Sequence, residues 1–269
     1  MVELDSVSRS IRKDIIKTVE YGGRGHMPSA FSIVEVLRVL YDDVLKYDPQ
    51  SPMWTDRDRF ILSKGHGCLA LYVTLADKGF FPKKELEKFC SSDGILGGHP
   101  EYGKVPGIEA STGALGHGLS IGIGMALNAR LEQSDYRTIV LLGDGECNEG
   151  SVWEAAMCAA KHRLSSLLVI VDYNKQQSYG DVCDVQELEP FADKWKSFGF
   201  EVREVDGHDV NALRNVLTDP PFYPEKPSVL ISHTIKGKGI SFMEKNLGWH
   251  HKSSLTDDEL AALYTDLGR

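Results

Sequence analysis

Apolar positions recur along the chain with two different periods. In SVSRSIRKDIIKTVEY (6–21), Val7, Ile11, Ile15 and Val19 fall every fourth residue, which predicts an amphipathic helix with that stripe turned to the core. Residues 33–45 (IVEVLRVLYDDVL) and 69–79 (LALYVTLADKG) predict two more helices, the second stopped by Gly79. Residues 118–132 and 151–163 also read as helices. The last, 256–267, opens with Thr256 and Glu259 at the spacing of a capping box. Short runs rich in Val, Ile or Leu, at 138–142, 167–172, 201–205 and 229–235, do not alternate with polar residues. A strand covered on both faces is apolar on both, so these runs predict a parallel sheet between two layers of helices. Strand and helix alternate from Thr138 onward, which predicts an α/β, doubly wound fold with a mainly parallel sheet.

No repeat or low-complexity segment divides the chain, and DPPFYPEKP (219–227) is a loop between a helix and a strand, so residues 1–269 are expected to form one domain. Residues 91–117, rich in Gly, Pro and His, make a connection too long to be idle and are expected to carry function. Hydrophobic content of 42% and charged content of 26% are those of a soluble globular protein. A net charge of −9 argues against a nucleic-acid surface, which needs clustered Lys and Arg. The polar N-terminus and the lack of a long apolar run argue against a signal peptide and a membrane span. Five scattered cysteines without a CxxC pair point to reduced thiols in a cytoplasmic protein.

The chemistry concentrates in LLGDGECNEGSVWEAA (141–156), where a strand runs through Gly143-Asp144-Gly145 into a helix. Such a turn suits an anion, because glycine permits close approach and a helix N-terminus favours negative charge. Yet Asp144, Glu146 and Glu149 stand there without a Lys or Arg. A carboxylate 4 Å from a phosphate oxygen costs on the order of 4 kcal/mol, and a divalent cation between them reverses the sign. Mg²⁺ takes oxygen ligands, commonly one or two carboxylates with substrate phosphates. A further oxygen ligand is then expected at the end of the neighbouring strand. LLVIVDYNKQQ supplies it: Asn174 follows the GDG triplet after 28 residues, room for one helix and one strand. Several histidines stand in glycine-rich contexts, namely GRGHMPSA (His26), DRFILSKGH (His66), GGHPE (His99), STGALGHG (His117) and GWHHK (His250, His251), which suggests a shared pocket. No HExxH or Cys-His pattern supports zinc.

GDG followed at this interval by Asn resembles the thiamine-diphosphate motif. By that resemblance Asp144, Asn174 and the backbone carbonyl of Gln176 bind Mg²⁺, for which Ca²⁺ or Mn²⁺ can substitute. The histidine motifs, PGIE-x-x-TG-x-LG-x-G, GDG-x-x-x-EG-x-x-WEA and the late His extend the match through nearly the whole chain, in the order found in the N-terminal, diphosphate-binding half of transketolase. The resemblance implies that His26, His66, His99 and His250 line the active site. It implies cofactor contacts from His66, Gly113, Leu115, Gly145, Glu146 and Asn174, and it puts Glu149 and the 151–163 helix at a subunit interface. His117 stands where many members have Gln, and Met27-Pro28 replaces the usual Pro-Gly after the first His.

In the family, the Glu that activates the cofactor's aminopyrimidine lies on a following pyrimidine-binding domain. The chain ends at Arg269, where that domain would start. The expectation is therefore a separate C-terminal, pyrimidine-binding transketolase subunit, self-association and a heterotetramer. The implied reaction transfers a two-carbon ketol unit from a ketose to an aldose, as sugars or sugar phosphates, with His250 or His26 relaying a hydroxyl proton. The competing readings are the α chain of a 2-oxo acid dehydrogenase, a relative of 1-deoxyxylulose-5-phosphate synthase, and a cofactor-binding subunit without turnover. A nicotinamide-binding fold is weaker, because no strand precedes the glycines at 116–124 and no GxGxxG forms.

Overall fold

The computed structural model describes residues 3–218, 220–250, 252 and 254–268. Its strands are β1 (Arg59–Leu62), β2 (Thr138–Gly143), β3 (Leu167–Tyr173), β4 (Glu201–Asp206) and β5 (Ser228–His233). All pair in parallel, in the order β1-β2-β3-β5-β4. The helices are α1 (Ser6–Gly22), α2 (Met27–Phe31), α3 (Val34–Val39), α4 (Cys68–Asp77), α5 (Gly118–Leu131), α6 (Gly150–Lys161), α7 (Val182–Val185), α8 (Phe191–Ser197), α9 (Val210–Leu217) and α10 (Asp257–Asp266).

The non-alternating strands are explained by two cores, one on each face of the sheet. Ile139, Leu141, Leu168, Ile170 and Leu230 point into a core shared with α1, α3, α4 and α9. Val140, Leu142, Val169, Val171 and Ile231 point to the opposite side, against α5, α6 and α8. Alternate residues thus serve opposite cores, and each fully buried aliphatic side chain contributes about 1.5–3 kcal/mol.

Several expectations are adjusted. The 33–45 segment is helical but passes from α3 into a π-helical turn at Leu40–Val44. FIL of the DRFILSKGH motif lies in β1, an element too short to stand out by pattern. β4 is not a buried strand: it lies at the sheet edge and most of its residues are partly or fully exposed. Ile11, Ile15 and Val19 of the α1 stripe are buried as expected, and Val7 is not. Val7 is 47% exposed, while Arg12 is 0% exposed because Glu35 draws its guanidinium inward. Thr256 and Glu259 do form a capping box on α10. Residues 91–117 contain no helix or strand. All five cysteines are free thiols. Among the described residues, no helix is long and apolar enough to cross a membrane.

Candidate active site at the carboxyl ends of the strands

Sheet geometry places the first set of groups. Gly143 on β2 pairs in register with Asp172 on β3, so Asp144 and Asn174 leave the sheet side by side. The Asp144 carboxylate, 2% exposed, accepts the N–H of Lys175 at 2.5 Å and that of Gly145 at 2.7 Å. Burial and the nearby Asp172 carboxylate push its pKa up to about 7, against the pull of those N–H groups and Lys64. Asn174 takes the N–H of Gln176 on Oδ1 (3.0 Å) and gives its Nδ2 to Asp172 (2.9 Å). The amide is thereby oriented with its oxygen toward the 174–176 turn.

Asp172 is itself fixed. It is fully buried and accepts from Lys64, from the Thr234 hydroxyl and from Ser32 Oγ at 2.7 Å. Burial raises its pKa, but the Lys64 ammonium and these hydrogen bonds hold it below the usual range. A second buried lysine, Lys236, follows β5 and reaches the same turn. Its Nζ donates to the carbonyls of Gln176 (3.1 Å) and Gln177 (3.2 Å). Burial and the Lys64 cation lower Lys236 to about 8, despite Asp144 and Asp172. Neither lysine carried a sequence signal beyond standing near glycine after a strand, because lysine is ordinarily a surface residue.

The loops close around this turn. Glu146 does not face outward: its carboxylate takes Ser63 Oγ at 2.5 Å and the N–H groups of Gly116 (2.9 Å) and Gly143 (3.1 Å). It ties the ends of β1 and β2 to the segment bearing Gly113 and Leu115, so any contact Glu146 makes with a diphosphate falls to its backbone. Burial raises its pKa against those hydrogen bonds. At Gly145 an added Cβ would lie 2.8 Å from the Gln177 side chain, which keeps this turn bare backbone.

Three histidines converge from distant loops. The His26 ring lies 6.0 Å from that of His66 and 5.4 Å from that of His250, and His66 lies 6.1 Å from His250. His26 Nδ1 bonds the His250 carbonyl at 2.9 Å, and His250 Nε2 bonds Ser178 Oγ at 3.1 Å. Burial, Lys64 and the other two imidazoles hold the His66 pKa well below the ordinary value. His99 packs on Gly113, and burial and His26 lower its pKa too. His117 is exposed at the residue before α5 and makes no side-chain capping bond to it, its Nδ1 lying 3.0 Å from the Leu115 carbonyl. Glu149 is exposed at the start of α6. His251 lies outside the described residues.

The donor set at Asp144 is carboxylate, amide and carbonyl oxygen, the ligands that Mg²⁺ and Ca²⁺ take. Among the described residues no group of three or more His, Cys, Asp or Glu could hold a metal, so an ion here needs Asn174 and Gln176 as well. Asp144, raised by burial and Asp172, would be stabilised in its charged form by a divalent cation, and the bare backbone and the Lys236 ammonium beside it would suit an anion.

Residues 4–269 match the family described as "Transketolase, thiamine diphosphate binding domain". The chain is 43% identical over 248 residues to an apulose-4-phosphate transketolase subunit from Phocaeicola vulgatus, covering 92% of this chain and 88% of that one. It is 39% identical over 266 residues to the 6-deoxy-6-sulfo-D-fructose transketolase subunit SqwG of a Clostridium species, covering 99% and 96%. Its fold superimposes on transketolase from Leishmania mexicana with a TM-score of 0.91 at 31% identity, covering 100% of this chain but 42% of that one.

Proposed function

The chain belongs to the transketolase family through its thiamine diphosphate binding domain, and from that premise we propose that it is the diphosphate-binding subunit of a two-chain transketolase. Residues 1–269 form one domain of that enzyme, which moves a two-carbon ketol unit from a ketose to an aldose after pairing with a pyrimidine-binding subunit. Support for the pairing comes from relatives of similar length that are themselves named as subunits. Their names also specify sugars bearing an anionic group, and a sugar or sugar phosphate of that kind is the substrate class proposed here. Five free thiols support a cytoplasmic setting.

The observation that carries the reading is the meeting of the Asp144 carboxylate, the 174–176 turn and the Lys236 ammonium at adjacent strand ends. Asp144, the Asn174 oxygen and the Gln176 carbonyl would hold Mg²⁺. Gly145 N–H, Lys236 and His66 would hold the diphosphate, with Gly113 and Leu115 toward the aminopyrimidine. Thiamine diphosphate, when bound, supplies the stabilised carbon nucleophile and electron sink that carbon–carbon cleavage requires. The protein's own part is to orient sugar hydroxyls and move their protons. His66 and His99, held neutral, can accept hydrogen bonds from sugar hydroxyls. His250, set by Ser178, and His26, set by the His250 carbonyl, are placed to relay a hydroxyl proton.

Mixing the chain with its candidate partner, thiamine diphosphate, Mg²⁺ and a ketose–aldose phosphate pair tests this. Ketol transfer is expected only with both chains present and is expected to vanish after chelation. Transfer by the isolated chain, or cofactor uptake indifferent to chelator, would refute it.

A further inference from the structure

Lys236 sits in a KGKG turn that has few side chains with which to anchor itself, yet it is gripped on both sides. Just before it, the Ile235 N–H donates to His208 Nε2 at 2.8 Å. Two residues after it, the Lys238 carbonyl accepts from Arg12 Nε at 2.8 Å. His208 stands between β4 and α9, and Arg12 on α1, far apart in sequence. Both grips end on one carboxylate. Glu35 takes Arg12 Nη1 on Oε1 at 2.6 Å, and Arg12 Nη2 at 3.0 Å and His208 Nδ1 at 2.9 Å on Oε2.

The three side chains are buried, at 0% (Arg12), 1% (Glu35) and 5% (His208) exposure. Their hydrogen bonds run to one another and to the backbone of Ser8, Phe31, Ile235 and Lys238, rather than to the Asp144 turn or the histidine cluster. Because the Ile235 N–H must donate, His208 Nε2 carries no proton. The ring proton is then on Nδ1 and is given to Glu35. The arrangement continues to α2, which begins directly after His26. Arg12 Nη2 donates to the Phe31 carbonyl at 2.8 Å, and the Gly237 N–H to the Pro28 carbonyl at 3.0 Å.

We infer that Arg12, Glu35 and His208 are positioning residues. They form a clamp that fixes the backbone on both sides of Lys236, so that its ammonium is aimed at the Gln176 and Gln177 carbonyls and held in register with the helix that carries His26. A lysine side chain loses much of its rotamer freedom when fixed. A clamped backbone confines the remaining search to one side chain, so the loss on binding an anion is smaller. That Lys236 serves a diphosphate rests on the function proposed above; the clamp does not.

The test uses the full chain with Mg²⁺ and inorganic pyrophosphate as the probe, read by calorimetry, together with amide hydrogen exchange at Ile235. His208→Asn keeps a donor at the δ position for Glu35 but has no atom to receive the Ile235 N–H. His208→Gln keeps an acceptor at the ε position. Expected are faster Ile235 exchange and about tenfold weaker pyrophosphate binding in His208→Asn, with both near the unsubstituted values in His208→Gln. In a Lys236→Met background, His208→Asn is expected to cost no further affinity, since it acts through Lys236. An equal loss in both backgrounds, or Ile235 exchange unchanged by His208→Asn, would overturn the clamp. If the unsubstituted chain takes up no magnesium pyrophosphate, the diphosphate reading falls, and Ile235 exchange alone decides the clamp.

Discussion

Gly113 has φ +140°, and a Cβ added there would lie 2.9 Å from the His99 ring. Gly113→Ala is expected to add about 1–3 kcal/mol of backbone strain and push His99 out of place. The check is a shift of the His99 ring resonances together with reduced ketol transfer in the reconstituted complex. Glu35 offers a pH test. Burial pushes its carboxyl up, but Arg12 and the hydrogen bonds from His208 and Arg12 bring it to about 2, against an ordinary 4.5. A carboxyl lowered on folding stabilises fully above its unfolded value, so this contribution is lost as pH falls from about 4.5 to about 2. Urea unfolding should show that loss, and Glu35→Gln should remove this pH dependence while costing about 3–5 kcal/mol at neutral pH by stranding Arg12. His26, His66 and His99 each follow a glycine in the sequence and His250 stands two residues after Gly248, and that local signal was enough to single them out. Lys64, Asp172 and Lys236 were not, because a lysine and a carboxylate become informative only when burial makes them share one another's charge.

Elements differ in how openly their sequences declare them. The α10 capping box follows from a spacing of three residues, so Thr256 and Glu259 were readable without tertiary information. Thr256→Ala should lower stability by about 1 kcal/mol, measured by thermal unfolding, with cofactor uptake unchanged, because α10 carries none of the site's groups. The 201–205 run shows the reverse. Its pattern predicts a strand buried on both faces, and only the sheet order reveals that β4 is the edge, with most of its residues partly or fully exposed. In α1 the four-residue spacing located the helix and three of its four core residues, Ile11, Ile15 and Val19, yet Val7 is exposed and Arg12 buried. Periodicity treats arginine as polar and outward, and cannot know that a carboxylate on another helix awaits it.

For the whole molecule, α5 and α6 pack together and leave apolar side chains outside: Ile121 is 38%, Met157 54% and Leu131 82% exposed. Met157 lies on the helix expected at a subunit interface, and its exposed apolar side chain suits self-association. In the proposed heterotetramer, Met157→Arg is expected to reduce the mass seen by light scattering to that of one copy of each subunit, with pairing to the pyrimidine-binding chain retained. An unchanged mass would remove this face from the interface.

By itself the sequence determined the parallel α/β class, the strands that end just before Asp144 and Asn174, and the motifs that carry the histidines. Those features follow from local hydrophobic pattern and from spacing along one chain. Only the tertiary structure decided which groups meet: the inward turn of Glu146, the ion pair of Lys64 with Asp172, and the closure of Arg12, Glu35 and His208 around the Lys236 turn. Each of these contacts joins residues held together by sheet order and burial rather than by sequence distance, except where Glu146 also reaches back to Gly143. Charges and hydrogen bonds act through space, and the fold alone sets that distance.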